Sequence, residues 1–327
     1  MGSEPTTSAR LACWVITDGK AGMESQCIGL AEALKLDPVI KRVRLRAPWR
    51  RLTPYFRLGG RMQFASDLDP PWPDLVIATG RHSVAAALFI RDASARLGRR
   101  ALIVQLQDPV ISLRNFDLVV VPRHDELRGE NVVATRGALH RVTPERLRES
   151  ASVWGPRFAK LPRPYVAVLI GGSNAAYRLG RAEMKTLADQ LVRAASALKA
   201  SLLITPSRRT DAECLRILEA AVAPIPHFLW DGEGENPYFG LLALADFIVV
   251  TSDSVNMVSE AAATGKPVYV AELPGGSEKF ARFHHCLREE GVTRLFKGTL
   301  ESFRYPAVDD MAMVAERVSA LLARKER

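Results

Sequence analysis

The chain has 327 residues, 47% of them hydrophobic and 25% charged, with 45 Lys+Arg against 36 Asp+Glu and a net charge of +9. That length holds two domains with a core each, and the composition is that of an ordinary soluble protein. No apolar run reaches the length of a signal core or a membrane span, and four cysteines at 13, 27, 214 and 286 have neither paired nor metal-ligand spacing, which excludes a disulfide or zinc framework and points to free thiols in the cytoplasm.

The charge is uneven. Residues 1–150 carry 23 Lys+Arg against 16 Asp+Glu, whereas residues 151–327 carry 22 against 20. No nucleic-acid motif accompanies the basic excess, so the expected partners are an anionic membrane surface or a phosphorylated acceptor, not nucleic acid.

Leu11–Thr17 reads as a first strand, Asp18–Met23 (DGKAGM) as a glycine-bearing turn, Glu24–Lys35 as a helix and Val39–Leu45 as a second strand. Lys41–Phe64 then holds eight basic residues, no acidic one, and the aromatics Trp49, Tyr55, Phe56 and Phe64. Two readings stand: a surface for anionic headgroups, placing the protein on the inner face of the plasma membrane, or a solvated loop with some aromatics in the core. Buried strands follow at Asp74–Ala78, Ala101–Leu106 and Asp117–Val121, with a helix from about Arg81 to Leu97. Strands alternating with helices predict a doubly wound parallel sheet, whose ligands sit at strand carboxyl ends. Asp18, Arg81, His82, Gln107, Asp108 and His124 fall on that rim.

Thr143–Ser152 opens with a capping signal, and Val153–Pro164 holds three prolines. The expected division is therefore a first domain over 1–153, a linker over 154–164, a second domain over 165–305 and a terminal helix within 306–327. The second domain repeats the alternation, with strands at 165–170, 201–205, 227–230, 246–251 and 267–271. Its first strand runs into Gly171–Gly172–Ser173–Asn174. Its fourth runs into Ser252–Asp253–Ser254 and a helix over Ser254–Thr264, stopped by Gly265. Each corner brings backbone N–H groups and hydroxyls to a helix N-terminus, where anions are favoured. Glu260, further along that helix and expected on the solvent-facing rim, suits a ribose diol. Capping alone would also explain a single such corner, but two in one half favour phosphate binding. Thr264–Gly265–Lys266 lacks the upstream glycine of a P-loop, and His284–His285–Cys286 point apart on a helix, so both are structural.

These residues resemble a known family. Strand-GGS-helix followed by S-x-x-x-V-S-E-A-x-A-x-G-K-P (Ser254 to Pro267) looks like the donor half of GT-B glycosyltransferases, among them the lipid-intermediate N-acetylglucosaminyltransferase of peptidoglycan synthesis. TDGKAG, LQDP, WDGEGENPY and GGSEKFARFH resemble one subfamily more closely, the GT-B proteins named after a plant mitochondrial-fission factor, over roughly residues 11 to 325. The resemblance implies two Rossmann-like doubly wound parallel-sheet domains facing a cleft, and transfer of a sugar from a nucleotide-diphosphate sugar without metal or cofactor. The acceptor is open, with lipid-linked and envelope-glycan acceptors both in view. It implies phosphates at Gly171, Gly172, Ser173, Asn174, Ser252, Ser254, Val255 and Asn256, ribose at Glu260, base near Trp230 and sugar near Gly275–Gly276. On the acceptor side it implies Gly19, Lys20, Gly22, Gly80, Arg81 and Gln107; a base for the acceptor hydroxyl should come from the first domain, and Asp108 and Asp18 are the candidates. A nucleotide-sugar 2-epimerase and a non-catalytic membrane adaptor are the alternatives.

Overall fold

The computed structural model describes residues 11–53, 55 and 60–325, Arg50 by its backbone alone. Two compact units divide it. Unit 1 holds the described residues up to Thr135, Leu139–Arg141 and those from Asp310 onward; unit 2 holds Arg136–Ala138 and Val142–Asp309.

Unit 1 runs β1 (Cys13–Thr17), α1 (Ala21–Ala33), β2 (Val39–Arg42), the short α2 (Trp49–Leu52), β3 (Leu75–Thr79), α3 (Arg81–Ala95), β4 (Leu102–Leu106), β5 (Leu118–Pro122) and β6 (Val132–Thr135). All pair in parallel in the order β2-β1-β3-β4-β5-β6. Strands β1, β3 and β4 are buried along their whole length, as their unbroken apolar sequences require when both sheet faces are covered. Within the basic stretch, Phe64 enters the core beside Phe89, with ring centroids 5.6 Å apart, and Leu45 bridges to Phe64. Tyr55 and Met62 stay exposed, and Phe56 lies outside the described residues.

Unit 2 runs α4 (Pro144–Phe158), β7 (Tyr165–Ile170), α5 (Arg181–Leu198), β8 (Ser201–Pro206), α6 (Ala212–Val222), β9 (His227–Leu229), α7 (Tyr238–Leu244), β10 (Phe247–Thr251), α8 (Val255–Ala262), β11 (Val268–Ala271), α9 (Glu278–Glu289) and β12 (Thr293–Leu295). Its six parallel strands are ordered β12-β11-β10-β7-β8-β9. Counted from β7, that is the Rossmann order 3-2-1-4-5-6.

The stretch expected as a linker is helical over its first half, a correction. Helix α4 continues through Pro156 to Phe158, because Trp154 and Phe158 stack on each other at 5.7 Å and bury against Phe228 of unit 2. That leaves 159–164 as the connection to β7.

After unit 2 the chain returns to unit 1 as α10 (Met311–Lys325). Met311, Val314, Val318 and Leu322, spaced along one helical face, bury in the same core as Cys13, Val15 and Leu30. Each buried side chain of this size contributes about 1.5–3 kcal/mol. None of the described helices is long and apolar enough to cross a membrane.

Candidate functional site

In an open parallel sheet the crevice opens where the strand order reverses. In unit 2 that point lies between β7 and β10, which places Gly171–Gly172 beside Thr251–Ser254. The floor of the crevice is built by Asp253. Its Oδ2 accepts the N–H of Gly172 at 3.0 Å, its Oδ1 accepts the hydroxyl of Thr251 at 2.6 Å, and that Thr251 oxygen accepts the N–H of Gly171 at 2.8 Å. Arg209, from the turn after β8, donates from Nη2 to Asp253 Oδ2 at 2.7 Å and from Nη1 to the Gly172 carbonyl at 2.9 Å. The Asp253 side chain is wholly buried, whereas that of Arg209 is 40% exposed.

The expectation that the Gly171–Gly172 amides are open to a phosphate is therefore corrected: Gly171 donates to the Thr251 hydroxyl and Gly172 to the Asp253 carboxylate. The glycines are needed for close approach. A Cβ on Gly171 would lie 2.1 Å from Asp253 Oδ2, and one on Gly172 would lie 2.2 Å from the Arg209 carbonyl oxygen.

Three other predicted segments gather at this edge. Asn174 donates from its side chain to the Asp253 carbonyl at 3.2 Å. Leu273 donates to Ser252 Oγ, Arg178 donates to the Pro274 carbonyl, and Gly276 donates to the Ala176 carbonyl. Gly275 and Gly276, at φ 103° and 107°, adopt the left-handed turn that brings their loop against Ala176–Tyr177. Ser254 caps α8, accepting the N–H of Met257 at 3.3 Å, and Val255 and Asn256 form the first turn of that helix. Ser173 is exposed, its hydroxyl exchanging hydrogen bonds with Leu179.

Glu260 departs from expectation. It is 8% exposed, not solvent-facing, because α8 turns that position inward against α7. Tyr238 donates its hydroxyl to Glu260 Oε2 at 2.5 Å. Burial first, and the neighbouring carboxylate second, push the Tyr238 phenol well above its ordinary range, so it stays a donor. Trp230 lies beyond edge strand β9, three strand spacings or about 14 Å from β10, with its indole N–H on the Glu233 carbonyl. It belongs with the 230–237 loop that leads to Tyr238, not with the crevice.

Two further supports come from residues that the sequence reading takes as structural. His284 donates from Nε2 to the Ser252 carbonyl at 2.8 Å; burial lowers its pKa, keeping it neutral behind β10. Lys266 donates from Nζ to the carbonyls of Leu242 and Ala243, at 2.8 and 2.6 Å, placing a cation at the end of α7. Burial lowers its pKa to about 8.

In unit 1 the strand order reverses between β1 and β3. A cavity of about 450 Å³ opens there, lined by Asp18 and Lys20 after β1, Val43, Arg44 and Leu45 after β2, and His82 at the start of α3. Asp18 Oδ2 lies 2.9 Å from Lys20 Nζ and 3.7 Å from His82 Nδ1. Gly19 and Gly80 carry the positive φ values of 86° and 73° that form the two turns, and Gly22 lies in the first turn of α1. Arg81 is exposed at the first position of α3. Gln107 and Asp108 follow β4, one strand further along. Asp108 Oδ1 accepts the N–H of Val110 at 2.7 Å, so this carboxylate shapes a turn; the described cavity lining includes Asp18 but not Asp108. His124 is buried beside Asp125. Among the described residues no three His, Cys, Asp or Glu side chains gather as metal ligands would.

Comparison with known proteins agrees with this architecture. A UDP-GlcNAc 2-epimerase structure from Methanocaldococcus jannaschii superposes with a TM-score of 0.57 at 11% identity, covering 96% of this chain and 100% of that one. Both units are thus Rossmann-like, and the fold is GT-B. An uncharacterized protein from Rickettsia prowazekii, RP120, is 25% identical over 94% of this chain and 98% of its own length. The mitochondrial fission protein ELM1 of Arabidopsis thaliana is 33% identical over 94% of this chain and 90% of its own. With the family model described as Mitochondrial fission ELM1 matching residues 21–322, the chain belongs to that family.

Proposed function

We propose that the protein binds a nucleotide-diphosphate sugar at the carboxyl edge of the unit 2 sheet and transfers the sugar to a hydroxyl acceptor without a metal ion. The observation that carries this reading is the gathering of Ser173–Asn174, the α8 N-terminus and the Gly275–Gly276 turn around one switch point. With the Gly171 and Gly172 amides engaged, the diphosphate falls to the exposed Ser173, the first turn of α8 and the open face of Arg209, a guanidinium already oriented by Asp253. A helix N-terminus and a fixed cation suit the charge that develops on a departing nucleotide diphosphate. Glu260, with Tyr238 on one oxygen, is the ribose contact, and the base is left to the 230–237 loop that leads to Tyr238.

Asp18 serves better than Asp108 as the acceptor's base, because Asp18 lines a cavity whereas Asp108 holds a turn. The M. jannaschii neighbour is named for acting on UDP-GlcNAc, which makes that the first nucleotide sugar to try.

The test is calorimetry with a panel of nucleotides and nucleotide sugars, followed by NMR of the anomeric region. Binding, with turnover only when an acceptor is supplied, supports transfer. Interconversion of the free nucleotide sugar without acceptor replaces the reading with 2-epimerisation. No binding to any member of the panel leaves a non-catalytic adaptor.

A second reading concerns location. Leu52, Tyr55 and Met62 are exposed within a stretch bearing Arg44, Arg46, Arg51 and Arg61. Apolar side chains standing among cations favour contact with an anionic membrane surface.

A further inference from the structure

The unit 1 cavity has a chemistry of its own. Its walls come from three strand ends: Asp18 and Lys20 after β1, Arg44 with Val43 and Leu45 after β2, and His82 after β3. It sits where the order β2-β1-β3 reverses, the place where sheets of this order take phosphorylated ligands through loop atoms and side chains. At about 450 Å³ it fits a small molecule.

The charges inside it are arranged unequally. Lys20 is drawn to Asp18 at 2.9 Å, and His82 faces the same carboxylate oxygen at 3.7 Å. The neighbouring cations of β2 are committed elsewhere, Arg42 to Glu24 at 2.7 Å and Lys41 to the face of Trp14 at 4.9 Å. Arg44 differs. Among the described residues its guanidinium has no ion-pair partner, although its backbone is fixed on both sides, donating to Ser66 Oγ and accepting from Ala65. The cavity lining thus offers an unspent guanidinium, a carboxylate able to accept a hydroxyl, and the apolar side chains of Val43 and Leu45.

We propose that this cavity binds a phosphorylated polyol: the phosphate on Arg44, assisted by Lys20, and a hydroxyl on Asp18. The binding claim rests on the cavity alone. That the bound hydroxyl is the acceptor of sugar transfer rests on the reading given under Proposed function. A planar guanidinium pairs with two phosphate oxygens at once, which makes Arg44 the dominant contact. The phosphate can belong to a soluble compound or to a lipid headgroup.

Calorimetry of the full chain with sn-glycerol 3-phosphate, with glycerol as the uncharged control, tests the soluble source. Saturable binding is expected, weakened at least tenfold by Arg44→Ala and by Asp18→Asn, and unchanged by Arg96→Ala, an exposed arginine at the far end of α3. Vesicles carrying phosphatidic acid or phosphatidylserine at equal mole fraction test the lipid source. There a preference for phosphatidic acid that Arg44→Ala removes and Arg96→Ala leaves supports the headgroup form. Neither saturable binding nor such a preference, or equal losses in Arg44→Ala and Arg96→Ala, overturns the proposal. UDP affinity measured on the same variants separates it from the donor reading. Wild-type protein that binds a nucleotide but no phosphorylated polyol refutes the cavity assignment alone, and protein that binds the polyol but no member of the nucleotide panel refutes the donor site alone.

Discussion

The phenol of Tyr238 and the carboxylate of Glu260 meet at 2.5 Å, joining α7 to α8 beneath the edge where the candidate nucleotide site lies. A carboxylate held in this way is fixed in direction before any ligand arrives. Glu260→Gln keeps an oxygen that accepts from Tyr238, so the fold should persist while nucleotide affinity falls by about 1–3 kcal/mol, the loss of a charged hydrogen bond. Unchanged affinity by calorimetry removes Glu260 from the site.

Asp253 ties together Gly172, Thr251 and Arg209. Asp253→Ala strands a buried amide and a hydroxyl, and should destabilise unit 2 by about 2–3 kcal/mol, less than a fully buried ion pair because Arg209 reaches water. Arg209→Ala should cost less stability but more nucleotide affinity. Urea denaturation and calorimetry on both variants check the ranking, and equal losses of affinity contradict it.

For catalysis, Asp18→Asn should leave UDP affinity intact and slow transfer by about 10²-fold or more, as loss of a general base does. Asp108→Asn retains an oxygen for the Val110 N–H and should slow it less than about tenfold. A reversed order in single-turnover rates moves the base to Asp108.

Lys266 gives a pH signature. Its pKa falls from 10.5 to about 8 on burial. Below pH 8 the lysine is charged in both states and its burial costs stability. Between about pH 8 and 10.5 only the unfolded chain holds the proton, so stability rises with pH across that window, by up to about 3 kcal/mol. Denaturation of wild type and Lys266→Met from pH 7.5 to 10 should show the rise in wild type alone. Parallel curves exclude it.

The exposed apolar residues of the basic stretch should matter on membranes. Replacing Tyr55 and Met62 together by Ser should reduce sedimentation with phosphatidylserine vesicles severalfold, and high salt should release the wild type, since each cation near the surface contributes about 1 kcal/mol. Equal partitioning to neutral vesicles rules the membrane reading out.

The buried strands and the glycine corners were legible because parallel strands covered on both faces are written as unbroken apolar runs. Edge strands β6 and β12 were not: Val132–Thr135 is only half-buried and Thr293–Leu295 spans three residues, so neither leaves a clear pattern. Asp253 looked like one of three capping residues. Its role depends on Gly172, 81 positions earlier, and on Arg209, 44 positions earlier, separations at which sequence carries no local signal. Glu260 was read by its chemistry and misplaced by its exposure, because Tyr238 comes from a different helix. The prolines of 153–164 suggested a break, but the buried rings of Trp154 and Phe158 outweigh one missing N–H at Pro156.

Helix α10 closes the core of the unit whose strands are made first. During synthesis, residues 142–309 leave the ribosome before Val314 and Val318 exist to cover β1 and α1. Domains otherwise tend to fold in the order in which they are translated. Here unit 2 can be complete while unit 1 still shows an uncovered apolar face, so the nascent chain exposes that face near its N-terminus until its last helix emerges.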